Sequence, residues 1–445
     1  TDAWFLYLEN PTVHLHVTGV LVLDPVTADG DFGYETVRRH IGQRLPLIPA
    51  MHHRLVEVPL GIDHPGWIET EDLDLDDHLE HTHLPQPGSM AGLAEQVGEF
   101  ASEPLDRSRP LWKARFVDGL ADGRAALVIK MHHSTVDGVT GLGVLAQLLD
   151  LSPEGRGAEP VPDLVGEIPP PPVGVAAEAA LNRVRSPLRP LRSFTRSALS
   201  LAAVGQKLLD RWWHGDTGTA HPVNAPRTRF NTSISARRIV AFAQIPLADL
   251  KTVKSAFGTT VNDVVLAACT HGLRRYLADH DDLPDRPLVC SIPVSVHRPG
   301  AEDGANQVSD MFVNLPVEVD DPVEQLQLIN RGTGGAKELQ QAVGTHMIGD
   351  LVELIPPAVF RLAAGAYSST GMADSLPPVQ NLVVSNVHGS HDPLYLAGAE
   401  VVGLLPLGPL MEGTGLNITA LSHVDRMHLA LVSCPELMPD LADLA

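Results

Sequence analysis

KMHHSTVDGVTG (130–141) joins two stretches of different hydrophobic character. Before it, AALVIKMHH (125–133) is β-rich and apolar. After it, VTGLGVLAQLLDL (139–151) has the spacing of a helix. A strand therefore ends at two adjacent histidines and hands over to a helix through Asp137-Gly138. Neighbouring strand residues face opposite ways, so His132 and His133 cannot share one role. One can face a cleft while the other holds the local backbone. Asp137 falls at the helix start, where free N–H groups and the helix dipole favour a carboxylate. An imidazole titrates near neutral pH and so suits general-base work. The plainer reading of a His-His pair is a satisfied strand end. The chain carries such a pair in AMHHRLVEV (50–58), where His52-His53 lacks the Asp-Gly and the following helix and is given no function. A zinc site is not expected, because HExxH spacing is absent and no cysteine pair lies nearby.

Working outward, VHLHVTGVLVL (13–23) reads as a strand and YETVRRHIGQRL (34–45) as a helix. Residues 1–151 thus alternate strand and helix. Past residue 151, SPEGRGAEPVPDLVGEIPPPPVG is a Pro/Gly-rich linker. It leads into LNRVRSPLRPLRSFTRSALSLAAVGQKLLDRWW (181–213), whose span 182–211 holds seven basic residues against one acid. From 223 onward a second unit shows strands in ISARRIVAFAQI, RPLVCSIPVSV, FVNLPVEV, VQNLVVSNV and MHLALVSC. TTVNDVVLAACTHGLRRYLADH (259–280) forms a helix capped by Thr259 or Thr260. The expectation is an α/β (α+β) fold with mixed sheets in three stretches: 1–151, a linker and crossover over 152–222, and 223–445.

The 445 residues exceed one ordinary core, and 44% apolar against 19% charged residues describes a globular chain. A formal charge of −22 argues against a nucleic-acid partner, which needs a basic face. Three scattered cysteines (Cys269, Cys290, Cys434) build no disulfide framework and fit a reducing, cytoplasmic setting. The opening TDAWFLYLENP has no signal-peptide pattern, and the longest lipophilic stretch, LVELIPPAVFRLAAGAY, is broken by Glu353, two prolines and Arg361.

His132-His133-x-x-x-Asp137-Gly138 resembles the HHxxxDG motif of the CoA-dependent acyltransferase superfamily. Within it, the chain resembles the bacterial wax ester synthase/diacylglycerol acyltransferases. PLDRSRPLW (104–112) is similar to their PLDxxxPLW segment, and TTVNDVVLAA (259–268) to their ND motif, carried here by Asn262 and Asp263. SIPVSVHRP, NQVSDMFVNLP, NLVVSNV, PLYLAGAEV and the opening DAWFLYLENP are similar as well. The likeness covers nearly all of the chain outside 152–222.

This resemblance implies two chloramphenicol-acetyltransferase-like domains with a substrate tunnel between them. It also implies long-chain acyl transfer from acyl-CoA to a fatty alcohol or diacylglycerol, giving wax ester or triacylglycerol plus CoA. His133 corresponds to the base, with His132 beside it, and no covalent acyl-enzyme, metal or cofactor is implied. Asp137 and Gly138 belong to the motif loop, with Arg298 a candidate partner for Asp137. Asn262 either orients substrate and steadies the oxyanion or serves the helix start; for Asp263 a capping role is favoured. Arg107 and Arg109, with Lys113 and Arg115, either guide the CoA phosphates or form ordinary ion pairs. The basic 182–211 stretch either rests on the inner membrane face or a lipid droplet, or packs on the protein's own acids. His388 and SHVDRMHLAL depart from the family pattern, which leaves acceptor choice open. Two other functions stand beside the main one: an acyltransferase fed by a carrier protein, and a non-catalytic lipid-surface protein of the same fold.

Overall fold

A computed structural model gives the structure and describes residues 3–59, 64–70, 73–136, 138–156, 166–167, 225–295, 308–343 and 357–445. The first half runs α1 (Ala3–Leu8), β1 (His16–Asp24), α2 (Tyr34–Arg44), α3 (Pro49–His52), β2 (His53–Val56), β3 (Gly66–Glu69) and β4 (Leu79–His83). It continues α4 (Met90–Ser102), β5 (Trp112–Asp118), β6 (Ala125–His132) and α5 (Gly138–Leu148). The second half runs β7 (Ile239–Pro246), α6 (Leu247–Phe257), α7 (Val261–Asp279), β8 (Leu288–Ser295), β9 (Val308–Leu315), α8 (Pro322–Val343) and α9 (Pro357–Ser369). It ends β10 (Leu382–His388), β11 (Tyr395–Leu396), β12 (Ala399–Leu407), β13 (Leu416–His423) and β14 (Arg426–Ser433).

Among the described residues, twelve of the strands make two six-stranded mixed sheets, in the orders β11-β12-β1-β6-β5-β4 and β7-β14-β13-β10-β8-β9, and β2 and β3 pair with each other in a small separate sheet. A boundary at 222/223 does not coincide with the sheets at one place: β11 and β12, from the second half, complete the first sheet. β12 lies antiparallel to β1, with Thr18 opposite Leu407 and a register shift at Val22/Leu23. Local hydrophobic period says that a segment is a strand, not which strand it will join. The strand read in FVNLPVEV begins earlier than that reading and stops at Leu315, before Pro316, which has no amide hydrogen to donate. Most of the 152–222 linker and the whole basic 182–211 stretch lie outside the described residues. Among those described, no helix is long and apolar enough to cross a membrane. The three cysteines are buried and unlinked.

β6 is buried along its whole length because both its faces meet core. Leu127, Ile129 and Met131 pack with Val37 and Ile41 of α2. Ala126 and Val128 face the seam between the halves, where Val20, Phe100, Val240, Leu405 and Val432 form one apolar cluster. Each such side chain, fully buried, contributes about 1.5–3 kcal/mol, so this seam is a core, not a loose interface. At one point it closes to backbone contact: a Cβ on Gly98 of α4 would come within 2.8 Å of the Arg238 carbonyl oxygen.

Polar groups on the same faces are matched to the end of α4, whose last carbonyls lack partners within the helix. Lys130 is fully buried, and its ammonium donates to the carbonyls of Phe100 (2.6 Å) and Glu103 (2.7 Å). Burial pushes its pKa down to about 7, against the pull of Glu103. His16 lies opposite His132 in register and donates from Nε2 to the Ala101 carbonyl at 3.0 Å. When protonated, the Lys130 ammonium also meets the negative end of the helix dipole.

Candidate active site

The chain leaves β6 at His132 in a tight turn. The His133 amide donates to the Leu15 carbonyl at 2.8 Å, and the Thr135 amide to the His132 carbonyl at 2.9 Å. Leu15 belongs to the apolar cluster of the seam, so this bond fixes His133 at the junction of the two halves.

The two histidines part company, because His132 ends β6 and His133 begins the turn. His132 is 1% exposed. Its Nδ1 accepts a hydrogen bond from the Ser134 amide at 3.1 Å and lies 2.7 Å from the Ser134 hydroxyl. An Nδ1 that accepts carries no proton, so the neutral ring holds its hydrogen on Nε2. That nitrogen lies 3.6 Å from Oε2 of Glu9. Glu9 in turn accepts from Arg107, at 2.7 Å from one terminal nitrogen and 3.1 Å from Nε. Burial opposes ionisation of Glu9, but its polar contacts with His132 and the hydrogen bonds and charge of Arg107 outweigh it and bring its pKa down to about 2. His132 is therefore held from both ends, by Ser134 and by the Glu9 carboxylate. Sequence reading missed Glu9; the only signal was its place in DAWFLYLENP.

His133 is half-buried, and its Nδ1 is shielded from solvent. The phenyl ring of Phe5 lies on it, with centroids 4.0 Å apart and planes 20° apart, and Trp4 stacks on Phe5 at 3.7 Å. Asp137 and Arg298 lie outside the described residues. Gly138 opens α5, as the Asp-Gly pattern predicts.

On the other sheet, Thr260 caps α7 in a capping box with Asp263. Asp263 is fully buried and accepts from the Thr260 amide (2.9 Å), Asn330 (2.8 Å) and the Thr333 hydroxyl (2.7 Å). Burial raises its pKa, but these hydrogen bonds prevail and hold it below the ordinary aspartate value. Its contacts are structural throughout. Asn262, one position earlier, accepts from Asn386 of β10 at 3.2 Å through its carbonyl oxygen. That bond turns its amide –NH2 away from Asn386 and leaves it as the donating end.

The basic side chains of the PLDRSRPLW region meet carboxylates of the chain itself. Arg107 also binds Glu57 at 3.1 Å and the Leu6 carbonyl at 2.9 Å. Arg109 pairs with Asp77 at 2.6 Å and lies 3.6 Å from Asp106. Lys113 and Arg115 share Glu80 and Glu103. Trp112 of the same segment is 2% exposed, donates from its indole to the Met51 carbonyl at 2.8 Å, and stacks on His78 at 4.5 Å. The segment thus braces β5 against its neighbours and supplies Arg107 to Glu9. His52 lies 3.4 Å from Glu69, a local contact of the kind expected of a pair with no further role.

Elsewhere along the seam lies an open cleft of about 580 Å³ lined by Glu99, Ser102, Glu103, Pro104, Arg237 and Arg238. Residues of both halves line it, and the volume falls within the range of small-molecule sites.

Comparison with known proteins identifies the family and the fold. The profile of the wax ester synthase/diacylglycerol acyltransferase catalytic domain matches residues 1–265, and that of the WS/DGAT C-terminal domain matches 304–445. A Mycobacterium tuberculosis (strain CDC 1551) protein provisionally named a diacylglycerol O-acyltransferase is 36% identical over 445 residues, covering 100% of this chain and 87% of its own. A Mycobacterium bovis protein, named in the same provisional way, is 31% identical over 450 residues, covering 100% and 95%. Among solved structures, the wax ester synthase/diacylglycerol acyltransferase from Marinobacter aquaeolei VT8 superposes with a TM-score of 0.70 at 28% identity, covering 100% of this chain and 94% of that one. The first condensation domain of the calcium-dependent antibiotic synthetase shares the fold at 17% identity, with a TM-score of 0.54 and coverage of 100% and 92%.

Proposed function

Because the chain belongs to the wax ester synthase/diacylglycerol acyltransferase family and is an acyltransferase, we propose that His133 is the general base of its transfer reaction. The donor is a long-chain acyl-CoA and the acceptor a fatty alcohol or diacylglycerol, so that the products are wax ester or triacylglycerol and free CoA. The observation that carries this reading is the turn after β6. It sets a half-buried imidazole at the seam of the two halves, while its neighbour His132 is locked between Ser134 and Glu9.

The imidazole of His133 takes the hydroxyl proton as the alcohol oxygen attacks the thioester carbonyl carbon. The carbonyl electron pair moves onto oxygen, giving a tetrahedral oxyanion. Its collapse re-forms the carbonyl, breaks the C–S bond and expels CoA thiolate, which takes the proton from the imidazolium. The acyl group passes directly to the alcohol, and the chemistry calls for no metal or cofactor. The amide –NH2 of Asn262, with its oxygen already engaged by Asn386, is the donor we assign to substrate orientation or to the oxyanion. Asp137 and Arg298 are assigned to the loop that shapes the site.

The acyl chain and the pantetheine arm approach along a tunnel at the seam, and the 580 Å³ cleft is our candidate for its donor end. Glu103 on its wall reaches to 4.0 Å from Lys130, three residues before His133. With their carboxylate partners in place, Arg107 and Arg109 serve the scaffold first; phosphate guidance would require them to exchange those partners. The cytoplasmic setting is part of the same proposal, with the basic 182–211 stretch as a peripheral hold on an anionic membrane face or lipid droplet.

The test is a transfer assay on the purified chain, offering hexadecanol and dioleoylglycerol with acyl-CoAs of several lengths. Ester should form together with stoichiometric free thiol. Ester formation only from a carrier-protein thioester would favour the carrier-fed alternative, and no turnover with any donor would favour the non-catalytic one.

A further inference from the structure

We propose that Phe5 sets the choice between transfer and hydrolysis, by keeping water off the imidazole of His133. This rests on the reading of His133 as the base. A base that can deprotonate a lipid hydroxyl can deprotonate water equally well. In hydrolysis, water oxygen bonds to the thioester carbonyl carbon, the C–S bond breaks, and a fatty acid and CoA thiol leave. Water is far more abundant than any lipid alcohol, so an acyltransferase must exclude it from the base by structure.

The first helix does this with two aromatic rings. Phe5 covers one face of His133 at 4.0 Å, nearly parallel to it, and Trp4 backs Phe5 at 3.7 Å. Phe5 also packs against the apolar cluster that spans both halves, while Trp4 packs against Leu6, Tyr7, Leu55 and Leu111. The imidazole is therefore walled by carbon on this side, and Nδ1 is already shielded. Helix α1 is tied down at its far end, where Arg107 binds the Leu6 carbonyl and the Glu9 carboxylate. One short helix and the residue that follows it thus place an apolar cover on His133 and a carboxylate near His132. An alcohol that brings its own hydrocarbon chain fits against such a wall; a lone water gains nothing there.

The experiment measures ester, free fatty acid and CoA thiol together, using radiolabelled palmitoyl-CoA with saturating hexadecanol. For Phe5→Ala, the ratio of free acid to ester should rise about tenfold, with thiol release falling less than ester formation. Phe5→Tyr, which keeps the ring, should retain the wild-type ratio. Phe5→Leu, apolar but not flat, guards against loss of folding and should give an intermediate ratio. Adding His133→Ala to Phe5→Ala should abolish the new hydrolysis. An unchanged ratio in Phe5→Ala and Phe5→Leu, with ester and thiol falling in step, overturns the proposal. Failure of the underlying reading looks different: His133→Ala alone would then still consume thioester.

Discussion

Nε2 of His132 points at the Glu9 carboxylate across 3.6 Å, while Nδ1 of the same ring accepts from the Ser134 amide at 3.1 Å. The first histidine of the pair is a strut. It fixes the turn that carries the second, and the carboxylate at its far end is charged at any working pH.

Glu9→Gln should therefore damage both stability and turnover. The folded-state pKa of Glu9, about 2, lies below its ordinary value of 4.5. Its contribution is thus fully present above about pH 4.5 and is lost as pH falls toward 2. Two and a half pKa units correspond to about 3 kcal/mol. Urea unfolding of wild type and Glu9→Gln should differ by that order at pH 7 and converge only near pH 2. A constant gap across this range contradicts the assignment.

Asn262 and Asp263, adjacent in sequence, should separate cleanly. Asp263→Asn disturbs a buried carboxylate that accepts from Thr260, Asn330 and Thr333, and should cost about 2–4 kcal/mol of stability. Asn262→Ala should leave the thermal midpoint nearly unchanged and lower kcat by about 10²-fold. Thermal melts and steady-state kinetics on the two variants distinguish them; equal loss of stability in both would contradict the division of roles.

Much of this was legible in the sequence, and the limits are physical. Different roles for His132 and His133 were expected from strand alternation, although His133 lies just past the end of β6, and the capping of α7 follows from the threonines before its apolar run. Those are local signals. Glu9 meets Arg107 and His132 only in the folded chain, 98 residues away in the first case, and no short-range pattern announces it. The same holds for β12, whose partner β1 lies at the other end of the sequence. Arg107 and Arg109 read as a basic patch because their neutralising partners Glu9, Glu57 and Asp77 come from distant segments.

Close approach at the seam gives a purely steric prediction. Gly98→Ala would place a methyl group 2.8 Å from the Arg238 carbonyl oxygen, and should destabilise the chain by about 1–3 kcal/mol. Chemical unfolding checks this, and an unchanged midpoint would mean that α4 and β7 move apart at no cost.

The basic 182–211 stretch should make binding to anionic surfaces sensitive to salt and charge. Replacing Arg183, Arg185, Arg189, Arg192 and Arg196 by Gln should release the chain from phosphatidylglycerol vesicles in a flotation assay. Undiminished flotation would dispose of the peripheral-binding reading.

The most direct test of the central claim is the rate of labelled ester formation by His133→Ala, measured with both acceptors at saturating acyl-CoA on protein whose melting is unchanged. Loss of a general base predicts a fall of about 10²–10⁴-fold with each acceptor. Activity within a few-fold of wild type would contradict the account.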